Sequence, residues 1–173
     1  MSALSNQPTN TNFLSPLGFK MTIKRSPHLN FFVQSATLPG VSIASADVDT
    51  PFTKIPYPGT RITFGNFQVT FKIDEEMENY LEIFNWLKAI GFPDNFDQYS
   101  TIANKGVMSG EGVFSDITLL VLSSAMNPIH EITFRDCFPV DLSALTFDST
   151  AADVEYLTAT VTFANRKFDI KHL

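Results

Sequence analysis

Phe67-Gln68-Val69-Thr70-Phe71-Lys72-Ile73-Asp74-Glu75-Glu76-Met77-Glu78-Asn79-Tyr80-Leu81-Glu82-Ile83-Phe84-Asn85-Trp86-Leu87-Lys88-Ala89-Ile90-Gly91-Phe92-Pro93 changes its period part-way. From Phe67 to Ile73 apolar and polar residues alternate, the pattern of a half-buried strand. Asp74 then stands where a helix N-cap belongs, its carboxylate free to accept from unpaired backbone N–H groups. Glu75, Glu76 and Glu78 place negative charge at the positive end of the helix dipole. A helix is predicted from Met77 to Ile90, ended by Gly91 and Pro93.

Set at about 100° per residue, Glu78, Glu82 and Asn85 share a narrow polar face with Ala89 among them. Met77, Tyr80, Leu81, Ile83, Phe84, Trp86, Leu87 and Ile90 occupy more than half of the circumference. A surface helix of a monomer needs an apolar stripe of only about 100°. This helix needs two covers. One is its own sheet; the other is a second layer of the same domain or a neighbouring subunit.

Outward from that stretch, strands dominate. Gly18 to Arg25 alternates, Ser26-Pro27 signals a turn, and Leu29 to Ser35 reads as a second strand, so a hairpin is expected. Pro39-Gly40 ends it, and Val41 to Val48 alternates again. Pro51, Pro56, Pro58 and Gly59 punctuate the next segment, which is incompatible with a central strand and is expected to protrude as a loop or arm. Asp94 to Glu111 reads as a long polar loop. Ile117 to Leu122 is nearly continuous in apolar residues, which predicts burial on both faces. Ile129 to Phe134 is a further strand, followed by a mixed stretch broken by Pro139. In the last long strand, Val154 to Phe163, Leu157, Ala159, Val161 and Phe163 share one face and Tyr156, Thr158, Thr160 and Thr162 the other. About seven or eight strands and one internal helix predict a mainly β fold: an antiparallel β-sandwich or flattened barrel with one packed α-helix. Residues 1–12 are expected to form a flexible arm, and 13–173 a single domain.

The 173 residues can bury a full core without staples. A hydrophobic fraction of 44%, with 17 Phe, excludes a disordered chain. Charged residues make up only 17%, and such a charge-poor, Phe-rich surface favours protein–protein contact. The net charge of −6 and pI of about 4.9 leave no basic footprint for nucleic-acid binding. A lone cysteine, Cys137, forms no intrachain disulfide. No run approaches the roughly 18 consecutive apolar residues of a membrane helix, and Met1 to Asn12 lacks the parts of a signal peptide.

Chemistry finds no foothold. His28, His130 and His172 lack metal-ligand spacing. His130 and Glu131 are neighbours on a strand and point to opposite faces. Cys137 has the context of a structural thiol. The carboxylates at Asp74 to Glu82 are explained by the helix start. Gly106 to Gly112 lacks the Lys and Ser/Thr of a phosphate-binding loop. No catalytic residue, metal or cofactor is assigned.

Several segments resemble one family in their order. Phe31-Phe32-Val33 with Ala36-Thr37-Leu38-Pro39-Gly40, then Pro58-Gly59-Thr60-Arg61, then Phe67-Val69-Phe71 with Asp74-Glu75 and Trp86, are similar to tail-tube proteins of contractile, T4-like bacteriophages and their relatives at the tube–baseplate junction. Phe138-Pro139-Val140 with Leu142-Ser143, and Val161-Thr162-Phe163, continue the resemblance. It implies hexameric rings whose inner sheets join into one barrel. The rings would stack into a hollow tube that DNA traverses without sequence-specific binding, with sheath and baseplate or tail-end proteins as partners. The location implied is a virion tail assembled in the host cytoplasm. On this basis Thr50, Pro51, Pro56, Pro58, Gly59 and Arg61 are expected to contact the adjacent ring. Tyr80, Ile83, Trp86 and Leu87 are expected to lie between sheet and neighbour, and Asn104, Lys105 and Met108 to reach a further neighbour. The competing expectation is a monomeric β-barrel that binds a small molecule among its phenylalanines.

Overall fold

The computed structural model describes residues 11–91, 95, 97, 99–100, 112–150 and 155–173. The chain runs β1 (Phe19–Ile23), α1 (Pro27–Phe32), β2 (Val33–Thr37), β3 (Val41–Asp49), β4 (Lys54–Phe64), β5 (Phe67–Lys72), α2 (Glu78–Gly91), β6 (Ser115–Leu122), β7 (Pro128–Leu142), β8 (Thr158–Ala164) and β9 (Lys167–His172). Every strand pairing is antiparallel. The principal sheet runs β1-β6-β7-β8-β5-β2, with β9 paired to β7, and β3 and β4 form a separate two-stranded sheet.

The bend of β7 turns this order into two facing layers. Its first half lies between β6 and β9, and its second half pairs with β8. Between them the register slips, Ile117 facing Phe134 but Ser115 facing Cys137. Asp136 sits there with φ 54, and the Asp116 carboxylate accepts its N–H at 3.0 Å. An extra residue of this kind bends and twists a strand. Beyond the bulge β7 is paired, among the described residues, on one side only, the situation in which Pro139 is tolerated inside a strand. The mixed stretch around Pro139 is therefore a strand and not a break.

The core fills the space between the layers. Phe67 of β5 stacks on Phe134 of β7 with centroids 4.3 Å apart, and Phe163 of β8 stands 6.0 Å from Trp86. All four rings are buried, with Ile23, Leu29, Val69, Phe71, Ile83, Ile117 and Val161 around them. Alternation in β5 and β8 sends Val69, Phe71, Ala159 and Val161 inward and the threonines outward, as the sequence predicted.

The helix forms where expected but one residue later at each end: Met77 takes a left-handed φ of 56 before Glu78, and Gly91 is its last residue. The Asp74 carboxylate accepts from the backbone N–H of Glu78 at 3.2 Å and of Asn79 at 3.3 Å. The buried Asn79 donates to the Lys72 carbonyl at 2.8 Å, tying the helix start to the end of β5.

Two expectations fail. Residues 18–25 and 29–35 form no hairpin: residues 27–32 are helical, β1 pairs with β6, and β2 pairs with β5. Pro27 is a first-turn residue of α1, where its missing N–H costs nothing. Asn30 occupies the place a strand would take beside β1, accepting from Ile23 N at 2.8 Å and donating to Ile23 O at 3.1 Å. Secondly, β6 is fully buried on one face only: Ile117 and Leu119 face the core, while Thr118, Leu120 and Leu122 on the other face are half-buried. Of the loop or arm expected, the segment punctuated by prolines is the arm, paired with β3 alone and so not a central strand.

Candidate functional site

The arm is the β3–β4 hairpin. Two glycines close its base, Gly65 N–H donating to Gly40 O at 3.0 Å, and Asn165 Nδ2 donates to Gly65 O at 3.0 Å. Phe64 packs edge-on against Phe168 of β9 at 5.3 Å. Beyond the base, no residue of β3 is buried. Register explains what that exposure means. Ala46 faces Tyr57 and Val48 faces Ile55 on one side, while Ser45–Pro58, Asp47–Pro56 and Asp49–Lys54 share the other. The hairpin is amphipathic, and its apolar side stays open: Val48 is 48% exposed, Ile55 44% and Tyr57 61%. A hairpin of two strands is marginal in water by itself.

Each expected contact residue on the arm has a definite place. Thr50 and Pro51 enter the turn, which Thr50 N–H closes on Thr53 O at 3.0 Å. Pro56 and Pro58 sit in β4 opposite Asp47 and Ser45 on the polar side. Gly59 lies against the Ala44 carbonyl, where the register slips between Ile43 and Ser45, and a Cβ there would collide with that oxygen. Glycine is required at that crossing. Arg61 is exposed on β4. At the turn itself Phe52 is 98% exposed, a residue the sequence reading passed over. The signal available was an aromatic set between Pro51 and Thr53 at a hairpin turn.

The helix residues divide. Ile83 and Trp86 are buried inside the chain. Trp86 Nε1–H donates to Val113 O at 3.1 Å, and the Arg25 guanidinium lies 4.9 Å from its ring while donating to Gly112 O at 2.8 Å. Tyr80 and Leu87 are half-buried and line a surface concavity of about 570 Å³ with Phe84, Val140 and Leu142. Leu81 and Phe84 remain exposed on the outer side of α2. Asn104, Lys105 and Met108 lie outside the described residues.

Electrostatics supply structure rather than chemistry. His28 of α1 bridges to α2, its Nδ1 2.6 Å from Glu82 Oε1 and its Nε2 3.5 Å from Glu78 Oε2. The hydrogen bond to Glu82, then that carboxylate's charge, raises its pKa above the usual 6.5. Burial, with the charge of Asp116 added, pushes the Cys137 thiol up to about 12, which leaves almost no thiolate near neutrality. Among the described residues no group of three or more His, Cys, Asp or Glu is placed to hold a metal. None of the described helices is long and apolar enough to cross a membrane.

The sequence profile described as phage tail tube protein matches residues 5–171. The chain belongs to the phage tail tube protein family. Its role is structural, as a component of a phage tail tube. Solved structures share the tail tube fold at low identity. The tube-terminating cap of the anti-feeding prophage is 14% identical over 100% of both chains, with a TM-score of 0.61. The sheath/tube terminator of the PVC extracellular contractile injection system is 14% identical, covering 94% of this chain and 99% of that one, with a TM-score of 0.60. Hcp1 from Flavobacterium johnsoniae is 14% identical over 88% of this chain and 94% of its own, with a TM-score of 0.51. No curated protein matches by sequence. In this tail tube protein Phe67, Phe71, Phe134 and Phe163 fill the space between the layers, whereas the competing expectation has Phe-rich strands lining a cavity.

Proposed function

We propose that this tail tube protein closes hexameric rings that stack head to tail into a DNA-conducting tube, as the repeating subunit or the ring that initiates it. The observation that carries this is the β3–β4 hairpin, an amphipathic limb whose apolar side the chain does not cover. A second copy supplies that cover most simply, because every copy brings both the limb and a surface to receive it. A contact between different patches of identical chains is heterologous, so it propagates into rings or along an axis. Ring closure also pairs edge strands, here β1, β2 and β9, that would otherwise template aggregation.

The remaining features fit a conduit. The outward face of β2, β5 and β8 carries Ser35, Thr37, Gln68, Thr70, Thr158, Thr160 and Thr162, a surface mainly of hydroxyl and amide groups with the cation Lys72 at one end. A net charge of −6 releases no counterions from phosphate, so DNA passes without adhering. Sheath and baseplate or tail-end proteins are the expected neighbours, in a virion tail assembled in the host cytoplasm. The protein acts without catalysis. Negative-stain micrographs of the purified chain, with subunits counted per ring, test this: six-membered rings or tubes are expected. A stable monomer that takes up an apolar dye in a pocket overturns it.

A further inference from the structure

Among the described residues β9 pairs with β7 alone, and at the end of that pairing two histidines stand side by side. His130 of β7 faces His172 of β9, and Leu173 N–H donates to Ile129 O at 2.8 Å just beyond them. That bond flanks the two residues and does not join them, so theirs is a non-hydrogen-bonded pair. In such pairs the Cα atoms approach to about 4.5 Å and the side chains come closest. The ring centroids are 5.0 Å apart and the planes nearly perpendicular, at 88°. The spacing of these histidines along the chain carries no sign of this; the strand register supplies it.

The ring nitrogens of the pair invite a ligand. A carbonyl only accepts, so His172 Nδ1–H donates to Leu173 O at 2.8 Å and Nε2 keeps its lone pair. Histidines that bind metals are held in the same way, the second ring nitrogen donating to a backbone carbonyl or a carboxylate. His130 Nδ1 is shielded from water and has no hydrogen-bond partner among the described residues. Its neighbours on that face, Val121 opposite on β6 and Ile132 along β7, have none to offer. Glu131 and Lys171 point to the other face. We propose that this pair binds one divalent transition ion, Zn²⁺ being the type, through the lone pair of His172 Nε2 and the unpartnered Nδ1 of His130. Two imidazoles that share an ion through Zn–N bonds of about 2.0–2.1 Å at a tetrahedral angle bring their ring centres to about 5 Å, the separation of this pair. Imidazole ligands suit Zn²⁺, Ni²⁺ and Cu²⁺, whereas Mg²⁺ takes oxygen ligands. No third His, Cys, Asp or Glu among the described residues joins the two, so water fills the remaining positions and the ion stays exchangeable. The ion ties β9 to β7 at a strand end, where pairing otherwise frays. It binds the paired strands and not the unfolded chain, so it stabilises by mass action. None of this depends on how copies associate.

Titration calorimetry and thermal melts of the full chain with zinc chloride test the site. One ion per chain is expected, and at a hundred times its dissociation constant the melting temperature should rise by about 5–10 °C. Mg²⁺ at the same concentration should leave the melt unmoved. His172 is exposed, so His172→Gln should match the parent by circular dichroism and weaken zinc binding at least about tenfold. His28→Gln should bind as the parent does, which separates this site from the other histidine and its two glutamates. Ring-nitrogen NMR shifts of the parent chain need no variant of the half-buried His130: the signals of His130 and His172 should move on adding zinc, and those of His28 should not. Absence of binding, unchanged binding in His172→Gln, loss of binding in His28→Gln, or an equal response to Mg²⁺ overturns the proposal.

Discussion

Two antiparallel pairs in this protein differ in what becomes of their apolar residues. In β5–β8, Phe67 faces Phe163, Val69 faces Val161 and Phe71 faces Ala159, and all six are buried by the opposite layer. In β3–β4, Val48 faces Ile55 and Ala46 faces Tyr57, and all four are exposed. Alternation in a strand states which face will be covered. It does not state what covers it. In the first pair the cover is the chain itself; in the second we assign it to another copy.

The strongest test of the covered region is Trp86→Glu. A carboxylate in place of a side chain 1% exposed must be desolvated, with Arg25 beside it, and it forfeits the ring's packing on Phe163 and its bond to Val113 O, a cost above about 4 kcal/mol. The variant is expected to be unfolded by circular dichroism, and a cooperative melt like the parent's would contradict the packing of α2. Phe67→Ala comes next, expected to lose about 3–5 kcal/mol in urea denaturation. The matched change on the limb, Ile55→Ser with Tyr57→Ser, should shift monomer stability by no more than about 0.5 kcal/mol and still abolish rings in micrographs. Equal destabilisation by the two substitutions would erase the distinction between the pairs.

Smaller effects stay within the covered region. Asp74→Ala removes the acceptor for two N–H groups and should cost about 1 kcal/mol, with ring formation unchanged at temperatures where the chain is folded. The smallest effect concerns His28. Its folded pKa is raised above the unfolded 6.5, chiefly by the hydrogen bond to Glu82. The protonated clip therefore stabilises fully below about pH 6.5, and the contribution is lost as pH rises through the folded value. The melting temperature of His28→Gln should trail the parent at pH 5.5 and equal it at pH 8.5. An identical gap at both values would show that the clip acts by packing and not by charge.

Legibility in the sequence followed the range of the signal. The β5–α2 unit could be read residue by residue because strand alternation, Asp74 and the helix period all act locally. The faces of β8 were legible for the same reason. The six residues of α1 are too few to display a helical period, and Phe31-Phe32-Val33 carries strand chemistry, so an imagined hairpin replaced a turn of helix. The continuity of β7 through Pro139 depends on a bulge at Asp136, whose left-handed φ no periodicity announces. At the site, the prolines and Gly59 marked the arm, while the tight crossing of Gly59 against the Ala44 carbonyl depends on a strand register that no local signal announces. The wheel's surplus was legible as a quantity but not in its partition. The chain's own packing claims Ile83 and Trp86, whereas Leu81 and Phe84 stay open.

Amide hydrogen exchange before and after assembly addresses the central claim most directly. The amides of β5 and β8 should be protected equally in the monomer and the assembly. Those of β3 and β4, with the turn at Phe52, should exchange quickly in the monomer and slow by orders of magnitude on assembly. Hairpin amides that exchange at the same rate in both states would contradict the account.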